Sequence, residues 1–360
     1  MKIVVTGTRG IPEIQGGVET HCQELYPLLA EMGMDVTVVR RQSYAPDSLP
    51  EYKGVKIKDM YSPRKKMTEA AVSTILGVLY AKRAGADVVH IHAVGPSIVL
   101  PVAKMLGLKV VMTHHGPDYE RAKWGRIARK VIKTGEKFAA RYADRMIVIS
   151  RAIADHIAAE YGRTDTVLIP NGVPTPVRSV NTDFLRELGV EPGRYVLALG
   201  RFVPEKNFHQ LIEAFDVEGY KLVIAGDADH PGPYSEQLKA QAREAGVILP
   251  GFIRGEKLNQ LLSNAALFVI PSSHEGLPIS LLEAMSYGRD VLASDIPANC
   301  LPELTAADLF PMGNVAALRD AMRRKLASPA AERTYDLSAY DWHTIAARTA
   351  AVYSDLLKNS

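Results

Sequence analysis

Short runs rich in valine and isoleucine recur along the first half of the chain, with room for a helix between them. They occupy residues 3–6, 36–39, 88–91, 110–112 and 146–149. The runs are continuously apolar and do not alternate with polar residues, which is typical of strands buried on both faces of a parallel sheet. The first half therefore predicts a doubly wound α/β sheet, in which helices connect the strands.

The pattern restarts after residues 169–176, which are rich in proline and glycine and predict a hinge. Further apolar runs follow at residues 195–199, 222–225, 247–249, 267–270 and 291–293. These runs predict a second parallel sheet, so that two Rossmann-like domains face each other across a cleft. The length of 360 residues also favours two domains, because one hydrophobic core rarely serves so long a chain.

The same pattern places the domain boundaries. The first domain is predicted over residues 1–175 and the second over residues 176–343. Residues 344–360 carry apolar side chains at helical spacing and no strand follows them, which predicts a closing helix. We expect this helix to pack back on the first domain.

Composition excludes several classes of protein. Hydrophobic residues make up 47% of the chain and charged residues 23%, which is ordinary for a globular protein and excludes a disordered one. The two cysteines, Cys22 and Cys300, are far apart and exclude a disulfide framework or a cysteine zinc site. The sequence shows neither a membrane-spanning apolar run nor a signal-peptide core. We therefore expect a cytoplasmic protein.

Positive charge is concentrated in the first half of the chain. Residues 1–175 carry 25 Lys and Arg against 17 Asp and Glu, whereas residues 176–360 carry 18 against 23. Nine cations lie in the segment 121–145: Arg121, Lys123, Arg126, Arg129, Lys130, Lys133, Lys137, Arg141 and Arg145. Such an asymmetry suggests that the first half meets an anionic partner.

Helical spacing divides this basic segment into two faces. One face carries Arg126, Lys130, Lys133, Lys137 and Arg141, and another carries Ile127, Val131, Phe138 and Tyr142. A basic amphipathic helix of this kind can lie on an anionic membrane surface, and a second run, Arg64-Lys65-Lys66, would join it. The alternative is a solvated helix face. Nucleic acid is not an expected partner, because no aromatic residues alternate with these cations to stack on bases.

Candidate chemistry lies directly after the predicted strands, where open α/β sheets bind their ligands. After the first strand, Gly16 and Gly17 precede a helix whose N–H groups can hold a phosphate or a sugar. Plain packing is the alternative for this loop, and its spacing excludes a dinucleotide fingerprint. After the strand at 195–199, Arg201 and Lys206 can converge on a diphosphate.

The third strand end, after residues 267–270, carries the most specific pattern. Glu275 lies in the loop, and Glu283 lies inside an otherwise apolar helix that begins near Pro278. A carboxylate in such a helix is expected to be paired or functional. Between the two carboxylates, backbone N–H groups of the loop and first helical turn are predicted to face the ligand: those of Gly276, Leu277, Ile279 and Ser280.

These motifs together resemble a known family, the retaining nucleotide-sugar glycosyltransferases of the GT-B fold, family 4 (GT4). The resemblance rests on Gly16-Gly17, Ile169-Pro170-Asn171-Gly172-Val173, Arg201 with Lys206, and Glu275-x7-Glu283, and it covers nearly the whole chain. Within the family, residues 7–12, 16–20 and 121–124 resemble a bacterial subgroup of polysaccharide-building, rhamnosyltransferase-like enzymes.

The resemblance assigns roles to the matching residues. It implies that Glu283 accepts hydrogen bonds from ribose, that Glu275 holds hydroxyls of the donor sugar, and that Arg201 with Lys206 binds the diphosphate. It also matches His115 to a family histidine near the reacting sugar carbons, with His114 as its rival. Ile253, in the segment 251–254, is implied to lie beside the nucleotide base.

The resemblance also implies a reaction. The expected reaction is front-face transfer with retention, from a nucleoside-diphosphate sugar to a lipid-linked or saccharide acceptor in bacterial cell-surface polysaccharide synthesis. No cofactor other than this donor substrate is expected. The alternatives are a nucleotide-sugar epimerase of the same fold and a non-catalytic two-domain sugar-binding protein.

Metal-independent catalysis is expected for two reasons. Asp227-Ala228-Asp229 spells a DxD string, but it follows a strand at a position where the resemblance implies an ordinary strand-to-helix turn, and Arg201 with Lys206 already supplies positive charge. The pairs His90/His92 and His114/His115 lack a carboxylate or cysteine at familiar ligand spacing, so they are not predicted to bind a metal.

Overall fold

The computed structural model of the chain describes residues 1–45, 48–63, 68–120, 124–228, 231–329 and 332–358. It divides into two compact units, the first formed by Met1–Gly172 with Ala339–Ser360 and the second by Val173–Ser338. The first unit therefore extends to Gly172 and resumes at Ala339, a few residues from the predicted boundaries. Gly172 belongs to the first unit because it packs against Trp342, whose indole ring a Cβ at Gly172 would overlap.

The described residues of the first unit form one eight-stranded sheet in the order β3-β4-β2-β1-β5-β6-β7-β8. The strands are β1 (Lys2–Thr6), β2 (Asp35–Arg41), β3 (Glu51–Tyr52), β4 (Val55–Met60), β5 (Val88–His92), β6 (Val110–His114), β7 (Arg145–Val148) and β8 (Val167–Leu168). All neighbours pair in parallel except β3 with β4. Because β1, β5 and β6 are adjacent, the loops at their carboxyl ends lie side by side.

Helices cover this sheet and connect its strands. They are α1 (Gly17–Glu31), α2 (Glu69–Ala84), α3 (Leu100–Met105), α4 (Arg126–Tyr142), α5 (Arg151–Tyr161) and, from the end of the chain, α12 (Trp342–Lys358). The C-terminal helix α12 packs against α1, and buried residues such as Ile345 and Tyr353 join the same core as Leu25 and Tyr26. The last segment of the chain is thus an integral layer of the first unit.

The described residues of the second unit form a parallel sheet in the order β10-β9-β11-β12-β13. Its strands are β9 (Tyr195–Leu199), β10 (Lys221–Ala225), β11 (Leu267–Ile270), β12 (Val291–Ser294) and β13 (Leu309–Phe310). The helices are α6 (Asp183–Glu187), α7 (Phe208–Ala214), α8 (Pro233–Glu244), α9 (Glu256–Asn264), α10 (Ile279–Ser286) and α11 (Val315–Ala327). The core is built mainly from the faces of β9, β10 and β11 and from α7, α8 and α11.

The strand predicted over residues 247–249 was wrong. In the structure Ile248 makes only an isolated bridge to Val223. Its N–H donates to the carbonyl of Leu222 and its carbonyl accepts from Ile224. A regular ladder does not form because Pro250, two residues on, has no N–H to donate, and the next bond runs from the N–H of Gly226 to the carbonyl of Gly251.

Across the described ranges, each helix is too short or too polar to cross a lipid bilayer.

Candidate active site

In the second unit, the loops after β9 and β11 are joined at the carboxyl edge of the sheet. The two strands are neighbours, so their following loops meet. The N–H of Ser273 donates to the carbonyl of Glu205 at 2.9 Å, and Nδ2 of Asn207 donates to the carbonyl of Pro271 at 3.1 Å. These bonds fix the two loops against each other, and with them the side chains that the sequence singled out.

An ion pair joins the two loops at their predicted functional residues. Nζ of Lys206 lies 2.6 Å from Oε1 of Glu275, and both side chains are largely buried. The site predicted for the diphosphate and the site predicted for sugar hydroxyls are therefore adjacent. Since a lysine ammonium carries three donors, Lys206 can keep Glu275 and still donate to a phosphate oxygen.

Most of the remaining predicted residues of this unit lie in the same two loops or on the helix α10 that follows. Arg201 lies two residues after the end of β9 and is partly buried in the same loop as Lys206. Glu283 is partly buried on α10, between the buried Leu282 and Ala284. Helix α10 begins one residue after Pro278. Ile279 and Ser280 are therefore in its first turn, where N–H groups have no helical partner, and Gly276 and Leu277 precede it in the loop.

A cavity of about 370 Å³ lies beside these loops in the second unit. Its lining includes Phe202, next to Arg201, and Gly251, two residues before Ile253; the other lining residues are Gly226, Asp227, Lys239, Arg243, Val247 and Leu249. The predicted base loop and the predicted diphosphate loop thus border one cavity. A volume of this size falls at the lower end of the range of small-molecule sites.

The DxD string contributes one described carboxylate, Asp227, since Asp229 lies outside the described residues. Oδ1 of Asp227 lies 2.9 Å from Nζ of Lys239 and accepts the N–H of Ala228 at 2.8 Å. Partial burial opposes ionisation of Asp227, but these two partners hold its pKa below the usual value. The carboxylate is therefore engaged by the N–H of the next residue and by a lysine of the following helix, α8.

In the first unit, the predicted sugar-facing histidine and its rival differ in environment. His114 is fully buried; its Nε2 donates to Glu136 at 2.7 Å and its Nδ1 accepts the N–H of Gly116 at 3.0 Å. His115 is only partly buried, and its Nε2 lies 2.9 Å from Nδ1 of His92. Both nitrogens of His114 are used within the core, so the geometry favours His115 as the residue available to a ligand.

Glu136 anchors this buried histidine from the inner face of α4. Besides His114, its carboxylate accepts from Tyr161 at 2.7 Å and lies 3.3 Å from Nε2 of His156. Burial raises the pKa of Glu136, but hydrogen bonds from His114, Tyr161 and His156 outweigh burial and lower it to about 2. The only buried charge of the helix is thus fully hydrogen-bonded within the described part of the chain.

The loop of Gly16 and Gly17 has a structural role that the sequence did not reveal. Gly16 has φ +149, and a Cβ there would overlap the carboxylate of Glu19. That carboxylate accepts from the hydroxyl of Thr8 at 3.2 Å and from the N–H of Arg9 at 3.1 Å, which closes the loop. At Gly17, where α1 begins, a Cβ would meet nothing within 4 Å, so the approach to the helix N-terminus is open there.

A hydrogen-bonded group of histidines and tyrosines lies behind His115, and sequence reasoning missed it. The hydroxyl of Tyr26 lies 2.5 Å from Nε2 of His92 and 3.0 Å from Nδ1 of His90. The hydroxyl of Tyr353, on α12, lies 2.6 Å from the same nitrogen of His90. The available signal was the pair His90 and His92, which point to one face of β5 because side chains alternate along a strand.

The basic helix α4 buries a face that differs from both faces distinguished in the sequence. Its buried residues are Ala128, Ile132, Gly135, Glu136 and Ala139, whereas Ile127 is 75% exposed and Val131 45% exposed. The buried face is therefore offset by one residue, about 100° around the helix, from the apolar residues Ile127, Val131 and Phe138. Small residues line the buried face because α4 packs closely on residues 94–98, where a Cβ at Gly135 would overlap the carbonyl of Val94. Arg121, Ala122, Lys123 and Arg64-Lys65-Lys66 lie outside the described residues.

Comparison with known proteins identifies the class of this fold and loop cluster. Two family models match, Glycosyltransferase Family 4 over residues 15–176 and Glycosyl transferases group 1 over residues 181–341. The solved structure of sucrose-phosphate synthase from Thermosynechococcus elongatus covers 100% of both chains with a TM-score of 0.84 at 23% identity. HepE of Anabaena in complex with UDP-glucose covers 99% of this chain and 100% of its own, with a TM-score of 0.79 at 20% identity. Two Rossmann-like parallel-sheet domains with these relatives define a glycosyltransferase of the GT-B fold.

The matches also define the family. The two family models together span most of the chain, and the chain belongs to glycosyltransferase family 4. Among the curated relatives, 2-deoxystreptamine N-acetyl-D-glucosaminyltransferase of Streptomyces fradiae is 28% identical over 64% of this chain. The alignment covers 61% of that relative, so this chain spans less than two thirds of its length.

Proposed function

We propose that this glycosyltransferase takes a sugar from a nucleoside-diphosphate donor and transfers it, with retention of anomeric configuration, to a lipid-linked or saccharide acceptor. The second unit binds the donor and the first unit binds the acceptor. No metal ion or further cofactor takes part. The product belongs to a cell-surface polysaccharide, as the resemblance of residues 7–12 and 16–20 to polysaccharide-building enzymes suggests.

The ion pair between Lys206 and Glu275 is the observation that carries this proposal. It brings a cation for the diphosphate within 2.6 Å of a carboxylate for sugar hydroxyls. The diphosphate and the sugar are bonded to each other in a nucleotide sugar, so their binding groups must be adjacent in this way. The bond between sugar and phosphate would lie beside this pair. HepE of Anabaena, which shares this fold and was solved in complex with UDP-glucose, supports a donor of this chemical class.

The residues then act on the charges that develop in the reaction. When the bond from the anomeric carbon to the diphosphate oxygen breaks, negative charge develops on the leaving group. Arg201, Lys206 and the N–H groups at the start of α10 stabilise that charge, because preorganised donors need no reorganisation during the step. The acceptor hydroxyl attacks from the same face and its proton passes to the departing phosphate. His115 holds the donor sugar and Glu283 accepts hydrogen bonds from the ribose. The loop at Ile253 lies beside the nucleotide base.

The function is tested by incubating the purified protein with a panel of nucleoside-diphosphate sugars and acceptors. We expect consumption of a donor that depends on acceptor, a product that keeps the donor's anomeric configuration by NMR, and an unchanged rate in EDTA. A product of inverted configuration would overturn retention. Loss of activity in EDTA that Mg²⁺ restores would overturn metal independence. Epimerised donor formed without acceptor would identify an epimerase instead.

We further propose that α4 holds the enzyme on the inner face of the plasma membrane, close to a lipid-linked acceptor. Its cations surround two exposed apolar side chains, Ile127 and Val131. Apolar side chains among cations are the combination that binds an anionic lipid interface, whereas a merely solvated face has no need of the apolar pair.

Replacing Lys130 and Lys137 together by alanine is expected to weaken binding to anionic vesicles about 30-fold, since each cation near such a surface contributes roughly 1 kcal/mol. Sedimentation with phosphatidylglycerol vesicles measures the binding. The matched control replaces Lys82 and Arg83, two exposed cations on α2 of the same unit, and should bind like the unmodified protein. Equal binding to neutral phosphatidylcholine vesicles would contradict the proposal.

A further inference from the structure

Three histidines from three separate elements of the first unit converge. His21 lies on α1, His92 ends β5, and His115 follows β6. One ring nitrogen from each lies within 4.8 Å of those from the other two. The closest two are Nδ1 of His92 and Nε2 of His115, at 2.9 Å. The rings of His21 and His115 meet nearly perpendicularly, with centroids 4.9 Å apart.

In two of these rings, the nitrogen that points away from the other two histidines is held by a hydrogen bond. Nδ1 of His21 lies 3.0 Å from the side-chain oxygen of Asn171, which can only accept, so this nitrogen carries the proton and Nε2 has a free lone pair. Nε2 of His92 lies 2.5 Å from the hydroxyl of Tyr26. Histidines that bind metals almost always have the second nitrogen fixed in this way.

The protonation and chemistry of the group also suit a metal. Burial lowers the pKa of His21 to about 4 and lowers the pKa values of His92 and His115 well below the usual value. All three are therefore neutral near pH 7, the form in which imidazole binds metals. Three imidazoles without a carboxylate or thiolate suit borderline ions such as Zn²⁺ and Co²⁺, whereas Mg²⁺ and Ca²⁺ prefer oxygen.

We propose that His21, His92 and His115 form a binding site for one divalent transition-metal ion of the Zn²⁺ class. Zinc lies about 2.0–2.1 Å from histidine nitrogens, so binding needs side-chain movements on the order of 1 Å. The proton between His92 and His115 moves to the other nitrogen of the ring that holds it. Because His115 is only partly buried, water can complete the coordination.

The site has a consequence for catalysis that rests on the proposed function. His115 is proposed to hold the donor sugar, and a bound ion would occupy its nitrogen. Catalysis needs no metal, so the ion acts as an inhibitor. This differs from the sequence-based expectation that the histidine pairs bind no metal, because His21 supplies a ligand that neither pair contains.

The binding is tested by titrating Co²⁺ into the metal-free, full-length protein without any sugar nucleotide. We expect one Co²⁺ per chain with visible d–d absorption, displaced by Zn²⁺, and an affinity at least tenfold lower in His21→Gln. His209→Gln changes a half-buried histidine of the second unit and serves as the matched control. Absence of stoichiometric binding, or equal affinity in His21→Gln, would overturn the proposal.

A second measurement needs no variant. X-ray absorption at the zinc edge of the loaded, unmodified protein should show three imidazole ligands, and a shell of oxygen or sulfur alone would refute the site. Zinc bound at the site should inhibit transfer; full activity with the site saturated would overturn the inhibitory role. If the protein proves to have no transferase activity, the metal titration can still be interpreted, because that titration uses no donor or acceptor.

Discussion

A Lys206→Ala variant is expected to lose turnover by on the order of 10²- to 10³-fold. Lys206 is held at the carboxyl edge of the second sheet by Glu275 and by the hydrogen bonds that join the two loops. Its charge is therefore already in place when negative charge develops on the leaving diphosphate. A preorganised charge stabilises the transition state more than the ground state, so the loss should fall mainly on kcat.

Two controls separate this effect from a loss of folding. Without Lys206 the carboxylate of Glu275 loses this ion pair, which lowers stability by about 1–3 kcal/mol and is measured by thermal unfolding. Lys206→Arg keeps the charge and should recover part of the lost turnover. Lys257→Ala removes an exposed lysine paired with Glu187 at 3.8 Å in the same unit and should behave as the unmodified enzyme. Unchanged kcat in Lys206→Ala would refute the assignment.

The buried parallel strands were predictable because each is a continuous apolar run. Strands β9 and β11 coincide with their predicted runs, and the predicted runs at 3–6 and 88–91 fall within β1 and β5. Strand β4 was missed for the opposite reason. It lies near the sheet edge and alternates buried Val55 and Ile57 with exposed Lys56 and Lys58, so it has no continuous apolar run. The two-residue strands β3, β8 and β13 are too short to leave any pattern.

The loops of the second unit were predictable because each follows its strand directly. The sequence placed Arg201 and Lys206 after one strand and Glu275 after another, and strand adjacency in the sheet brings Lys206 and Glu275 together. The histidine group of the first unit has no such signal. His21 lies on α1, His92 at the end of β5 and His115 after β6, and only the fold brings these distant positions together. Spacing along the chain carries no information about such a group.

The exposed side of α4 shows a further limit. Helical periodicity located the cations correctly, but it could not show which neighbouring face is buried. Gly135 and Ala139 determine that face because only small side chains allow the close approach to residues 94–98. Glu136 lies there too, since His114 and Tyr161 supply hydrogen bonds that no pattern within the helix reveals.

Acid is expected to unfold the first unit, with the loss of stability beginning near pH 6.5. Burial lowers the pKa of His21 to about 4 and that of His90 to about 3, and it lowers the pKa values of His92 and His115 in the same direction. In the unfolded chain these histidines titrate near 6.5. Between the lowered pKa values of the folded state and pH 6.5, the unfolded state binds more protons than the folded state. The free energy of unfolding therefore falls as the pH falls.

The expected slope is steep. Each proton taken up on unfolding changes the free energy of unfolding by about 1.4 kcal/mol per pH unit, so His21 and His90 alone give about 3 kcal/mol per unit, and His92 and His115 act in the same direction. Domains are stable by about 5–15 kcal/mol, so a slope of this size removes much of that stability as the pH falls towards 4. Below the usual pKa of a carboxyl group, protonation of Glu136, whose folded pKa is about 2, removes further stability.

Tryptophan fluorescence measures this transition selectively, because the only two tryptophans of the chain, Trp124 and Trp342, both belong to the first unit. Urea unfolding at a series of pH values should give a free energy that falls below pH 6.5, with a slope reduced by about one proton in His21→Gln. His209→Gln, in the second unit, should leave the slope unchanged. A free energy of unfolding that stays constant from pH 7 to 4.5 would mean that the histidines are protonated as readily in the folded state as in the unfolded chain. The conclusion that they stay neutral in the folded protein would then be wrong.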